Sequence, residues 1–212
     1  MTRPRLVLAS ASPRRLDILR QLGLDPAVHA AEVDERLLPG EDPGIHVRRL
    51  AREKAERVAA SEPGALVVAG DTVVVRDEVV LGKPRDADDA VAMLVSLAGR
   101  THEVLSGLAL AGPRGTLDAL TRTVVRFRDF DRLQARRYVE TGEPMDKAGA
   151  YGIQGLGAAL VSEVSGDYYS VVGLPVPALL DLLERAGWRY EFGSLRETDP
   201  TLRGERIEDI SR

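Results

Sequence analysis

Leu6-Val7-Leu8-Ala9-Ser10-Ala11-Ser12-Pro13-Arg14-Arg15-Leu16 is the stretch on which the reading of this chain turns. Its four leading apolar residues predict a buried strand. Ser12 is a favoured N-cap, and Pro13 suits the first helical position, where its missing N–H costs nothing. Leu16, Leu19 and Leu22 then recur at helical spacing until Gly23, which predicts a short helix with a glycine stop. The anomaly is Arg14 beside Arg15 in the first turn. Cations there oppose the helix macrodipole, at an end already made positive by unpaired N–H groups. An anion held between them resolves the conflict, and Ser10 and Ser12 add hydroxyl donors. Strand, hydroxyl-rich turn and doubly basic helix start together point to a phosphate site. Two solvated arginines on an exposed turn are the competing explanation.

Working outward, apolar periodicity predicts helices over His46 to Ala60, Asp86 to Ala98, Asp131 to Thr141 and Pro175 to Ala186. Between them, Ala65 to Ala69 is a continuous apolar run, as expected for a strand covered on both faces. Thr72 to Arg76 and Glu78 to Leu81 read as a hairpin about Asp77. Glu103 to Ala111 and Leu117 to Phe127 read as a second, and Ala158 to Val164 with Tyr168 to Val172 as a third, turning at Ser165-Gly166-Asp167. Hairpins interleaved with helices predict an α/β fold around a mixed, twisted central sheet flanked by helices. Residues 1–193 are expected to form one domain, and the polar stretch 194–212 a loosely held tail.

The composition narrows the function. The 212 residues are 44% apolar and 29% charged, as in an ordinary soluble globular protein, so the chain supports a proper core. A net charge of −4 gives no basic field for nucleic acid or a membrane surface, and 4% aromatics argues against a base-stacking platform. The absence of cysteine excludes disulfides, thiolate metal sites and cysteine nucleophiles. With no secretory leader pattern and no membrane-length apolar run, a cytoplasmic location is expected.

Several residues carry chemical potential. Asp71, in Gly70-Asp71-Thr72, is expected just past the carboxyl end of a buried strand, where open α/β sheets keep their ligand crevice. A metal ligand, a general base or a residue satisfying its own turn are the roles open to it. Lys83, between Gly82 and Pro84, has an extended, aimed backbone or is an ordinary surface lysine. Lys54 falls inside the apolar stripe of its helix, where it needs a partner or must snorkel; Glu53 is one candidate, though consecutive helix residues do not face each other. Glu32, Asp34 and Glu35 form an acidic cluster, usually a solvated loop. Gly149-Ala150-Tyr151-Gly152-Ile153-Gln154-Gly155 brings backbone N–H groups free of side chains, and Gln154 offers donor and acceptors suited to a base edge. It matches no dinucleotide fingerprint or P-loop.

In their order along the chain these segments resemble the Maf family, together with Thr101-His102-Glu103-Val104 and Gly166-Asp167-Tyr168 through Val172-Gly173-Leu174-Pro175. The resemblance runs from Leu6 to about Trp188. It implies an elongated fold with the active cleft between two lobes, commonly dimeric. It also implies hydrolysis of a nucleoside triphosphate between the α and β phosphates, a divalent cation (Mg or Mn), and a link to inhibition of septum formation. By position, Asp71 corresponds to the proton acceptor; Ser10, Arg14, Arg15, Glu35, Lys54 and Lys83 correspond to other site residues; Arg14, Thr72 and Gln154 correspond to those tied to substrate choice.

On these grounds Asp71, Lys83 and Lys54 are the expected catalytic residues. Ser10, Ser12, Arg14, Arg15, Thr72 and Gln154 are expected to bind substrate, and Glu35 with Asp71 to hold the metal. Within the family, Asp71-Thr72 and Ile153-Gln154-Gly155 are similar to the branch acting on dTTP and UTP rather than 7-methyl-GTP, with Gly70 standing where that branch often has alanine. The competing functions are a nucleotide-sensing regulator of septum formation with little turnover, and a pyrophosphatase of broad or 7-methyl-GTP type. Arg48-Arg49 and Arg136-Arg137 suggest a nucleic-acid module only weakly, since solvated helix faces account for them.

Overall fold

The computed structural model describes residues 4–198. Its strands are β1 (Leu6–Leu8), β2 (Ala27–Val28), β3 (Leu66–Arg76), β4 (Val79–Leu81), β5 (Thr101–Gly112), β6 (Gly115–Phe127), β7 (Val161–Ser165), β8 (Trp188–Tyr190) and β9 (Leu195–Glu197). Its helices are α1 (Pro13–Gln21), α2 (Pro43–Ala59), α3 (Ala87–Leu97), α4 (Arg132–Val139), α5 (Tyr168–Val172) and α6 (Val176–Arg185). Seven strands form a mixed sheet in the order β2-β1-β3-β5-β6-β7, with β4 also paired to β3. The expected mixed α/β architecture is therefore present. Among the described residues no helix is long and apolar enough to cross a membrane.

The two faces of the sheet are packed differently, and the sequence alternation dictates how. On one face Val7, Ala9, Val67, Ala69, Ala109 and Ala111 meet Ala51, Ala55 and Val58 of α2. These small side chains let the helix approach closely, and at Gly107 a Cβ would collide with the Val47 carbonyl of α2. The opposite face is larger: Leu8, Leu66, Leu108 and Leu110 pack with Ile18 and Leu19 of α1, Leu94 and Leu97 of α3, and Leu179 and Leu183 of α6. Burying each such leucine contributes about 1.5–3 kcal/mol.

Five expectations change. The runs Ala65 to Ala69 and Thr72 to Arg76 are one strand, β3, passing unbroken through Gly70-Asp71. Tyr168 to Val172 is the helix α5 rather than a strand, because the Asp167 side chain accepts the Tyr169 N–H and caps it. β7 pairs with β6 instead, preceded by a 3₁₀ turn over Leu156–Leu160. Finally, β9 pairs with β8 and buries Leu195 against the core, so residues 194–198 are built into the structure. The remainder of the expected tail, 199–212, lies outside the described residues. α2 also begins three residues early, capped by Asp42, which accepts from the N–H groups of Gly44 and Ile45.

Candidate active site

Asp71 lies in the middle of β3, yet it borders a cleft, and the pairing explains why. One edge of β3 is covered by β5 from Val67 to Val75. The other is covered by parallel β1 only over Leu66 to Val68, and by β4 only over Val74 to Arg76. Between those two neighbours the edge is uncovered. A cleft of about 840 Å³ opens there, lined by Asp71 and Thr72. The alternation of β3 sends these side chains to opposite faces, Asp71 toward α2 and Thr72 away from it.

On the α2 side Lys54 joins two carboxylates: its Nζ is 2.8 Å from Asp71 Oδ1 and 2.6 Å from Glu35 Oε1. The buried lysine in the apolar stripe thus finds its partners across space. Glu53, the sequence neighbour, instead pairs with Arg49 at 3.2 Å. Burial pushes the Glu35 carboxyl up, but the Lys54 hydrogen bond and charge, with Lys83 and Arg15 behind them, outweigh it and hold it below its ordinary value. The loop carrying Glu35 is anchored on α2 by a clamp the sequence did not reveal. Arg49 donates to Glu41 Oε1 at 2.6 Å, to Glu41 Oε2 at 2.9 Å and to the Arg36 carbonyl at 3.3 Å. Hydrogen bonding to Arg49 holds the Glu41 carboxyl down at about 2. Nothing in the pattern marks Glu41, because its partner lies in a helix whose periodicity reports only the core face.

The adjacent arginines diverge. Arg15 donates from Nε to the Gly173 carbonyl at 2.8 Å, from Nη1 to Ser10 Oγ at 2.8 Å and from Nη2 to Thr72 Oγ1 at 3.4 Å. Burial lowers its pKa, against the raising effect of Asp71. Arg15 ties the basic turn, β3 and the segment before α6 together while lining the cleft. Arg14 crosses the cleft to Asp146, 2.9 Å away. Ser12 occupies the N-cap position without a side-chain cap, and its N–H is directed at Ser10 Oγ, 3.3 Å away.

The glycine-rich segment is wrapped around Glu143. This carboxylate accepts from Leu156 N at 2.8 Å, Gly157 N at 3.0 Å and the Tyr138 hydroxyl at 2.8 Å, and the same hydroxyl accepts from Gly152 N at 3.0 Å. At Gly155 a Cβ would collide with the Glu143 carboxylate, so the wrap requires glycine. The exposed Gln154 sits on this loop and lines the cleft. Lys83 lines it from the turn after β4, with Lys147 alongside.

All of the expected site residues therefore border one cavity: Ser10, Ser12, Arg14 and Arg15 from the first turn, Glu35 and Lys54 from the α2 side, Asp71 and Thr72 from β3, and Lys83 and Gln154 from the far wall. His46, Glu143, Asp146, Lys147 and Tyr151 also line it, which the sequence reading had not assigned. Cations on several walls with carboxylates gathered at one point suit a polyanion held beside a proton acceptor. Among the described residues no three His, Cys, Asp or Glu side chains are grouped to hold a metal.

Fold and site define an α/β protein with a basic cleft opened at the uncovered edge of its central strand. Residues 5–186 match the family described as Maf-like protein, and the chain belongs to that family. It is 51% identical over 183 residues to the dTTP/UTP pyrophosphatase of Symbiobacterium thermophilum, covering 86% of this chain and 94% of that one. It is 53% identical over 189 residues to the dTTP/UTP pyrophosphatase of Anaeromyxobacter dehalogenans, covering 87% and 95%. The dTTP/UTP pyrophosphatase of Myxococcus xanthus is 52% identical over 188 residues, covering 87% and 95%. Among solved structures, the Staphylococcus aureus Ham1 protein superposes on 59% of this chain and 72% of its own, with a TM-score of 0.44 and 16% identity.

Proposed function

We propose that the protein hydrolyses nucleoside triphosphates, dTTP and UTP foremost, to the monophosphate and pyrophosphate. The observation that carries this is Lys54 bridging Asp71 and Glu35 inside a cleft bordered by Arg14, Arg15 and Lys83. Relatives about half identical over most of the chain and named dTTP/UTP pyrophosphatase support it.

In this reading Arg14 and Lys83 meet the phosphates, where their charges offset the negative charge that grows on the oxygens during reaction. Asp71 takes a proton from the attacking water. Water oxygen bonds to the α phosphorus, the bond to the α–β bridging oxygen breaks, and pyrophosphate leaves. Lys54 holds Asp71 in position through their hydrogen bond, so the base is in place before substrate arrives. Ser10 and Arg15 hold the shape of the basic turn, and Gln154 with Thr72 meets the base.

The donor set fits a divalent cation. Glu35 and Asp71 both pair with the Lys54 ammonium, which stands between them, and these two carboxylates would hold the ion; Mg²⁺ usually takes only one or two carboxylates, completing its shell with phosphate oxygens and water. Bound there, such an ion supplies charge neutralisation and a more acidic water.

The deciding experiment is pyrophosphate release from dTTP, UTP, CTP, GTP and 7-methyl-GTP, with and without Mg²⁺ or Mn²⁺, alongside Asp71→Asn. Turnover of dTTP and UTP that falls at least ~100-fold in Asp71→Asn is expected. Tight nucleotide binding without release from any of them would replace this reading with a nucleotide sensor.

A further inference from the structure

The cross-strand register of β3 and β5 fixes the direction of a hydrogen bond at the cleft. Thr72 stands directly opposite Ser106, and their hydroxyls are 2.9 Å apart. Ser106 is fully buried, and its Oγ lies 2.7 Å from the Ser170 carbonyl oxygen. A carbonyl only accepts, so the single proton of Ser106 is committed to Ser170. Thr72 must then donate to Ser106. Farther back the hydroxyl network continues: Ser170 Oγ donates to the Asp167 carbonyl at 2.7 Å, and Thr123 Oγ1 lies 2.7 Å from Ser170 Oγ and 3.2 Å from that same carbonyl. Ser106, Thr123 and Ser170 are all 0% exposed, so bulk water cannot turn the chain around.

With its proton drawn inward, the Thr72 hydroxyl offers only lone pairs to the cleft. One is met by Arg15 Nη2 at a long 3.4 Å. A hydroxyl has a second, and Thr72 lines the cleft. We propose that Ser106 is a positioning residue for substrate choice. By taking the Thr72 proton it makes that hydroxyl an obligate acceptor, and the ligand group received there is the base N3–H. The inference rests on the cleft being a pyrimidine triphosphate site. Uracil and thymine carry one N–H on their Watson–Crick edge, at N3 between two carbonyls, whereas N3 of cytosine is itself an acceptor. An acceptor facing N3 satisfies the first two bases and opposes a lone pair to the third, leaving both groups unpaired.

The test compares kcat/KM for UTP, 3-methyl-UTP and CTP in the wild type, Ser106→Ala, Thr72→Val and the double variant. The wild type should prefer UTP to both others. Ser106→Ala frees the Thr72 hydroxyl to rotate and should lower the UTP-over-CTP preference about tenfold. Thr72→Val should lower it similarly, and adding Ser106→Ala to Thr72→Val should change the ratio no further, because Ser106 acts through Thr72. Three results would overturn the proposal: a wild type indifferent to N3 methylation, a Ser106→Ala protein that slows UTP and CTP equally, or a Ser106 effect that persists without the Thr72 hydroxyl. If Ser106→Ala does not fold, Thr72→Val decides alone, and an intact preference for UTP rejects the idea. A wild type that releases pyrophosphate from no triphosphate removes the underlying reading instead, an outcome distinct from turnover with an unmoved ratio.

Discussion

Arg14 Nη1 and Asp146 Oδ2 are 2.9 Å apart although 132 residues separate them, so an ion pair closes across the cleft. Asp146 also accepts from Lys147 Nζ at 2.6 Å. Burial pushes its carboxyl up, but Lys147 and Arg14 outweigh this and hold it at about 2. Two cations that line the cleft are thus both engaged by one carboxylate that a triphosphate would have to displace.

Asp146→Asn should therefore strengthen substrate binding. The carboxylate is 60% exposed, and an exposed pair is worth up to about 1 kcal/mol, so KM for UTP should fall by up to about fivefold with little change in stability. Initial rates across a concentration series decide it. A raised KM would mean that Asp146 holds Arg14 in its working position.

Glu143→Gln should loosen the loop that carries Gln154. The amide would set an NH₂ against backbone N–H groups of Leu156 and Gly157, losing charge-assisted bonds worth about 1.5–3 kcal/mol. Burial pushes the Glu143 carboxyl up, yet those two N–H groups and Tyr138 keep it below its ordinary value, as expected of a working acceptor. KM should rise more than kcat falls, and hydrogen exchange at residues 152–157 should accelerate. Unchanged exchange there would separate Glu143 from the loop.

Gly107→Ala should be severely destabilising even though alanine is the smallest substitution. The new Cβ would collide with the Val47 carbonyl, a rigid part of α2, so helix and sheet would have to part. Overpacking of this kind costs about 3 kcal/mol. Urea unfolding measures it; a loss below about 1 kcal/mol would show that α2 yields easily.

Stability should fall between neutral and mildly acidic pH through His102. Its ring is 3% exposed, stacked edge-on with Phe127 and Tyr151, and Nε2 lies 2.9 Å from the Tyr151 hydroxyl. Burial depresses its pKa to about 4. Between about 4 and the unfolded value near 6.5 the unfolded chain binds the extra proton, so stability is full above that window and is lost as pH falls through it. The full loss is about 3 kcal/mol, of which about 2 kcal/mol falls between pH 7 and pH 5. Denaturant melts at pH 7 and pH 5 should differ accordingly, and His102→Gln should remove most of the difference.

The site was legible wherever a residue broke its local rule. Arg14 and Arg15 contradict a helix start, Lys54 contradicts an apolar stripe, and Gly149 to Gly157 is too rich in glycine for a plain loop; each lies at the cleft. Glu41, Glu143 and Ser106 broke no rule. An acidic residue in a polar loop, or a serine in a strand, looks ordinary until its partner is known. The strand through Gly70-Asp71 was read as ended because glycine and aspartate are poor strand formers, and pairing with β5 on Gly107 and Leu108 overrides that preference. The run Tyr168-Tyr169-Ser170-Val171-Val172 carries strand formers but coils under the Asp167 cap, where local capping defeats propensity.

By itself the sequence determined most of the elements and which of their faces are buried, since alternation and helical periodicity are properties of consecutive residues. It also determined the family and the chemical character of the cleft, through side chains whose charge needs no structure to be known. Only the tertiary structure decided that β1 stops short and β4 begins late, so that the middle of β3 opens onto solvent. Only it decided that Lys54 joins Asp71 to Glu35 and that the Thr72 hydroxyl stands 2.9 Å from that of Ser106. Those are contacts between distant segments, and their geometry is set by strand register and helix packing rather than by spacing along the chain.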